Sequence, residues 1–122
     1  MISELKELMN NSYSPYSNLC FSCIVVTKDG NKFNGTTVKN ATYRDGLYAE
    51  QIAIGRAVAS GYKYGDFEKI YLMVGSNNIS DLKYLNERVI TEFFEPMKSV
   101  ILYTLDGNNR VLKVGNLYNN IY

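Results

Sequence analysis

The side chains that could hold a metal or attack a carbonyl are few in this chain of 122 residues. Histidine is absent, and Cys20 and Cys23 are the two thiols. Without an imidazole, neither a Ser-His-Asp nor a Cys-His arrangement can be assembled. A catalytic zinc draws its protein ligands from imidazole, thiolate and carboxylate, and the first two are almost missing. Cys20-Phe21-Ser22-Cys23 has the spacing of a zinc or redox CxxC motif. It falls in a run that reads as a strand, where residues three apart point to opposite faces. The two thiols are therefore expected to be small core residues, sharing neither a metal nor a disulfide.

The elements that position these residues follow from periodicity and turn chemistry. A helix is expected over residues 3–10, with Leu5 and Leu8 on one face. Ser14-Pro15-Tyr16-Ser17 reads as an extended turn. Strands are expected over 20–27 and 32–38, joined through Lys28-Asp29-Gly30-Asn31, whose Asp-Gly pair is a strong hairpin signal. A second helix over 48–60 places Ala49, Ile52, Ala53, Arg56 and Ala57 at helical spacing, with Gly61 to end it. A strand at 70–74 precedes a third helix over 82–94, with Ser80 or Asp81 as its N-cap and Pro96 beyond its end. Strands at 100–104 and 111–114, with a turn at Asp106-Gly107-Asn108-Asn109, close the chain. The order αββαβαββ predicts one α/β domain over residues 1–122, a mixed five-stranded sheet whose βαβ part is parallel with a right-handed crossover.

Thirteen Lys and Arg against twelve Asp and Glu give a net charge of +1, which makes no case for a nucleic-acid or membrane surface. Apolar runs such as Ile24-Val25-Val26 fall far short of the ~20 residues of a membrane span. Residues 1–6 lack the layout of a signal peptide, so the expected location is cytoplasmic. The eleven tyrosines read as core, interface or rim contacts, since no basic groove accompanies them.

Several segments, taken in order, resemble the small homotetrameric cytidine deaminases. Tyr13-Ser14-Pro15-Tyr16-Ser17-Asn18 is similar to the entry motif of that family, and Asp29-Gly30 sits where its first hairpin turns. Val38-Lys39-Asn40-Ala41-Thr42-Tyr43 resembles its Val-Glu-Asn-Ala-Ser-Tyr segment. Tyr48-Ala49-Glu50 falls where the family carries Cys-Ala-Glu, followed by a matching helix with Ala53, Ile54, Ala57 and Gly61. Val89-Ile90-Thr91-Glu92-Phe93 resembles the helix after its Pro-Cys-Gly-X-Cys motif, and the tail Leu117–Tyr122 resembles an aromatic C-terminus near the active site. The resemblance implies a cytidine deaminase-like fold with helices on both faces of the sheet, and a homotetramer.

In that family a zinc held by three cysteines activates water for attack on the cytosine ring, and a non-ligating glutamate moves the protons. Glu50 matches the proton shuttle. It also suits a helix N-terminus electrostatically, whatever its role. The ligand positions fall on Tyr48, Lys83 and Asn86, so the resemblance implies that all three cysteines are replaced and that the family zinc is absent. A protonated lysine, a phenol and a neutral amide are poor ligands for a divalent cation. The ribose-binding Asn-Val-Glu-Asn corresponds to Thr37-Val38-Lys39-Asn40, where a carboxylate has become a cation, and an expected aromatic has become Leu19. The substrate-binding positions carried over are thus Leu19, Thr37, Lys39, Tyr48, Ala49 and Lys83.

Two placements stand open for Lys83: paired with Glu50 in the space of the zinc, with Tyr48 filling the rest, or solvated on its helix. Lys39, Arg44 and Lys83 could together accept a phosphate, partly offset by Asp45 and Glu50. The expected function is a zinc-free, catalytically degenerate homologue that binds a nucleoside or a phosphate-bearing ligand, or regulates. The alternatives are an active deaminase with an altered metal site and a structural subunit that assembles with a genuine deaminase.

Overall fold

The structure, a computed structural model, describes residues 1–14, 19–39, 41 and 46–119. Helix α1 (Ile2–Met9) leads into β1 (Phe21–Thr27) and β2 (Lys32–Thr36), then α2 (Ala49–Ala59) and β3 (Phe67–Val74). A 3-10 turn (Ile79–Tyr84) and α3 (Glu87–Phe93) precede β4 (Ser99–Tyr103), β5 (Asn109–Lys113) and a last 3-10 turn (Val114–Asn119). The strands form one mixed sheet in the order β2-β1-β3-β4-β5, and β3 and β4 pair in parallel while the other pairs are antiparallel. The expected αββαβαββ order and the parallel βαβ part are both present.

Alternation of side chains divides the sheet into two faces. Cys23, Val25, Ile70, Leu72, Val100 and Leu102 point into the main core, where Ala53 and Ala57 of α2 and Ile90 of α3 close over them. Ile24 and Met73 point the other way and meet Leu5 of α1. Helices thus lie on both faces, as the alternation of the strands requires.

Two hairpins are closed by the same chemistry. Thr27-Lys28-Asp29-Gly30-Asn31 and Thr104-Leu105-Asp106-Gly107-Asn108 each turn through a glycine at φ +90°, where a side chain would be strained. The glycine N–H donates to the threonine carbonyl at 3.0 Å in the first and 3.1 Å in the second. In each, the threonine hydroxyl also donates to the aspartate carboxylate.

The third helix differs from the expectation. Residues 82–94 are not one helix: the 3-10 turn ends at Tyr84, Leu85 and Asn86 are extended, and α3 starts at Glu87. The caps are Asn78, whose side chain accepts from the Ser80 N–H, and Asn86, whose side chain accepts from the Val89 N–H, rather than Ser80 or Asp81. Leu82, Leu85 and Ile90 are all buried, so apolar spacing concealed the break.

One close approach sets α2 on the sheet. At Gly35 of β2, a Cβ would lie 2.1 Å from the Ala49 carbonyl oxygen and 2.7 Å from the Ala53 nitrogen. Glycine alone lets the first turn of α2 sit this near the strand, which places Glu50 inside the molecule.

Candidate active site

Glu50 stands in the first turn of α2 and is 1% exposed. Its neighbours on the helix explain why a carboxylate lies there: Ala49, Ala53 and Ala57 bury the same side of α2 against the sheet and draw Glu50 in with them. The backbone N–H of Asn86 donates to Glu50 Oε2 at 2.5 Å. Glu50 Oε1 is buried and has no hydrogen-bond partner among the described residues. Burial pushes the carboxyl above its ordinary pKa, and the N–H groups of Asn86 and of Glu50 itself offset part of the rise. The Cys23 thiol is also pushed well up, by burial first and by the Glu50 carboxylate second, so it is a neutral thiol.

Asn86 does two things at once. Its side-chain oxygen caps α3 by accepting from the Val89 N–H at 3.4 Å, while its backbone N–H holds Glu50 from 36 residues away. Beside it opens a cavity of about 660 Å³, walled by Tyr48, Asn86, Glu87, Arg88, Glu92 and Phe93 among others. Tyr48 is the N-cap of α2, and its backbone N–H donates to Gln51 Oε1 at 3.3 Å. The site is therefore the meeting of two helix starts, with a buried carboxyl between them and a cavity alongside.

The expected site residues divide between this place and others. Tyr48, Glu50 and Asn86 are brought together. Lys83 is not: it is exposed on the 3-10 turn, with its ammonium 5.2 Å from the centroid of the Tyr84 ring. Among the described residues, no ion pair involves Glu50. Of the two placements left open for Lys83, the structure has the solvated one and not the pair with Glu50, as the cost of stripping water from an ammonium favours.

Ala49 is fully buried in the main core. Thr37 is also buried, with its hydroxyl accepting from the Phe21 N–H at 2.8 Å and donating to the Phe21 carbonyl at 3.2 Å. Its one hydroxyl hydrogen is committed to the backbone. Leu19 packs against the main core, and Lys39 is half-buried, its N–H donating to the Tyr13 carbonyl at 2.6 Å. Arg44 and Asp45, Pro15–Asn18 of the entry motif, Asn40, Thr42 and Tyr43, and Asn120–Tyr122 of the tail lie outside the described residues.

Sequence reasoning missed Arg88, Glu92 and Phe93 as cavity walls, and it missed Asn86 as the strap on Glu50. The signal for the cap was present, an asparagine three residues ahead of Val89 at a helix start. Nothing local marks the contact to Glu50.

Comparison with known proteins bears on this geometry. A family model of the cytidine and deoxycytidylate deaminase zinc-binding region matches residues 2–83. The crystal structure of cytidine deaminase from Burkholderia pseudomallei superposes with a TM-score of 0.82 over 95% of this chain and 91% of that one, at 30% identity. The chain belongs to the cytidine and deoxycytidylate deaminase family. A cytidine deaminase of Sporosarcina psychrophila is 25% identical over 117 residues, 96% of this chain and 85% of that protein. One from Mycoplasma genitalium is 28% identical over 71 residues, and the match spans 58% of this chain and 54% of that protein. The cytidine deaminase structure from Mycobacterium leprae, at 23% identity and a TM-score of 0.71, shares the fold.

The family model is named for a zinc-binding region, so the donors around Glu50 can be tested for fit. A zinc centre takes about four ligands from thiolate, imidazole and carboxylate. Cys23 points into the main core, and Cys20 lies on the other side of β1, its thiol donating to the Met9 thioether of α1 at 3.3 Å. The two are free thiols, placed on opposite faces as the strand reading expected. Among the described residues, no three of His, Cys, Asp and Glu stand close enough to share a metal ion. Tyr48 and Asn86 add a phenol and an amide whose oxygen already caps a helix. This donor set does not fit a zinc centre. What the arrangement can do without one is present the walls of the cavity, Tyr48, Asn86, Glu87, Arg88 and Glu92 among them, to a small polar ligand, with the Glu50 carboxyl buried behind Asn86 rather than lining it.

Proposed function

We propose that this deaminase-family chain is a zinc-free, catalytically degenerate homologue whose cavity binds a nucleoside or a related phosphate-bearing ligand without hydrolysing it. One observation carries the reading: the proton-carrying carboxyl of the family is kept in a built setting, while the positions matching its metal ligands carry a phenol, a solvated ammonium and a helix-capping amide. Without a metal to lower the pKa of a bound water, Glu50 has no nucleophile to generate at neutral pH. Lys39, in place of a carboxylate on the ribose side, turns that contact from an acceptor to a cation and favours an anionic group on the ligand. By resemblance the protein is a cytoplasmic homotetramer, and no described helix is long and apolar enough to cross a membrane.

Elemental mass spectrometry of the untagged protein, paired with an ammonia-release assay on cytidine and deoxycytidylate, tests this. The expected result is zinc far below one per chain, no ammonia, and saturable thermal stabilisation by a nucleoside or nucleotide. Zinc near one per chain with release of ammonia would overturn it and establish an active deaminase. The buried Glu50 Oε1, without a partner among the described residues, is the feature that favours this second reading, since it leaves an acceptor for a proton in transit.

A further inference from the structure

Two sulfurs meet at the start of β1, away from the cavity beside Asn86. The Cys20 thiol donates to the Met9 thioether at 3.3 Å, and a thioether is only a weak acceptor. Three segments converge there: α1 ends at Met9, β1 begins one residue after Cys20, and β3 stops one residue before Gly75. The Gly75 N–H donates to the Cys20 carbonyl at 2.8 Å, which ties the two strand ends together. Cys20 and Met9 are both half-buried, so the pair lies at the edge of the fold rather than sealed within it.

Gly75 is required there for space and not for its backbone angle. The glycines at positive φ among the described residues are Gly30, Gly61, Gly65 and Gly107. A Cβ at Gly75 would lie 2.6 Å from the Cys20 sulfur and 3.5 Å from the Met9 sulfur. Any larger residue would displace the thiol, whereas glycine leaves both sulfurs clear on that side. The remaining surroundings are apolar, since Met9 packs into the cluster of Leu5, Ile24 and Met73 under α1.

A thiol and a thioether in contact form a soft donor pair, of the kind that suits Cu(I), zinc or an iron–sulfur cluster. Ligand number and charge choose among these. Zinc takes about four ligands, and no group of three His, Cys, Asp and Glu stands together among the described residues. An iron–sulfur cluster takes several cysteines, and Cys23 lies on the other face of β1. One thiolate and one neutral thioether cancel a single positive charge, while a divalent ion would leave a net charge in apolar surroundings.

We propose that Cys20 and Met9 form a binding site for one Cu(I) ion, held between the thiolate and the thioether sulfur. On binding, the Cys20 S–H bond breaks, its proton leaves to solvent and an S–Cu bond forms. Copper stays in the +1 state, so no oxidant or reductant takes part. The unbranched, flexible Met9 side chain, on the last residue of its helix, lets the sulfurs part to admit the ion. Neither residue walls the cavity beside Asn86, and the inference is independent of the ligand reading.

Anaerobic titration of the untagged chain with Cu(I), in competition with a chromogenic Cu(I) chelator, tests it. Uptake of one ion per chain is expected, with a thiolate-to-copper absorption band in the ultraviolet. Cys20→Ser is expected to remove both the uptake and the band. Met9→Leu keeps the thiol and the packing volume, and is expected to weaken uptake about tenfold or more. Met97→Leu, which removes a thioether that is 73% exposed, should change nothing. Unfolding midpoints of the copper-free variants separate a lost ligand from a lost fold. A parent chain that leaves all the copper with the chelator overturns the proposal. So does uptake that survives Cys20→Ser or is unmoved by Met9→Leu.

Discussion

The two walls of the site are joined by the hydrogen bond from the Asn86 N–H to Glu50 and are held by different means. The α2 wall is held by the core: Ala49 and Ala53 are fully buried, Glu50 is nearly so, and Gly35 lets the helix start press against β2. The wall from Ile79 to Asn86 is held by its own ends, with Asn78 and Asn86 capping the turns and Leu82 and Leu85 anchoring it. Between these anchors Lys83 and Tyr84 face solvent. A wall of the first kind admits few residue types without repacking; one of the second kind admits many.

The contrast breaks first, and hardest, at Gly35. Gly35→Ala puts a methyl 2.1 Å from the Ala49 carbonyl oxygen, a backbone atom that cannot swing aside. Overpacking a rigid contact costs about 3 kcal/mol or more, so a large fall in the denaturant midpoint is expected. A loss below about 1 kcal/mol by urea titration would mean that α2 slides freely on β2, and that its wall is no more fixed than the other.

Glu50→Gln examines the same wall through its charge. The native carboxyl has a pKa raised above its ordinary value of 4.5, chiefly by burial. Between the unfolded and the native pKa the native state binds more protons, so this group makes stability fall as pH rises through that window and level off above it. Glutamine has no proton to lose and lacks that slope. The variant should therefore gain on the parent as pH climbs from about 4 towards neutrality, and unfolding midpoints measured across that range check it. Parallel curves would show that the carboxyl is as well solvated as a surface one.

The walls also differ in how far the sequence disclosed them. The hairpins were legible because Asp29-Gly30 and Asp106-Gly107 act within five residues, and Gly61 marked the end of α2 as reliably. The break before α3 was hidden because Leu82, Leu85 and Ile90 keep helical spacing while the chain between them is extended. What straightens it there is tertiary: the Asn86 N–H turned towards Glu50. The resemblance gave Thr37 and Ala49 places in the chain, and the structure adds their surroundings: the Thr37 hydroxyl is bound to Phe21 and the Ala49 side chain fills the core. Lys83 reads equally well as a buried partner or a solvated cation until the burial of Glu50 and the exposure of the turn are both known.

The smallest effects sharpen the contrast within the second wall. Asn86→Ala removes the oxygen that caps α3 but keeps the backbone N–H that holds Glu50, so the expected loss is that of one N-cap, about 1 kcal/mol. Lys83→Ala removes a solvated ammonium and is expected to change stability by less than about 0.5 kcal/mol. Chemical unfolding of the two variants beside the parent measures both. The order matters more than either value. If Lys83→Ala cost as much as Asn86→Ala, the lysine would be carrying a contact inside the fold, and the account of a wall held by its ends and open in its middle would fail.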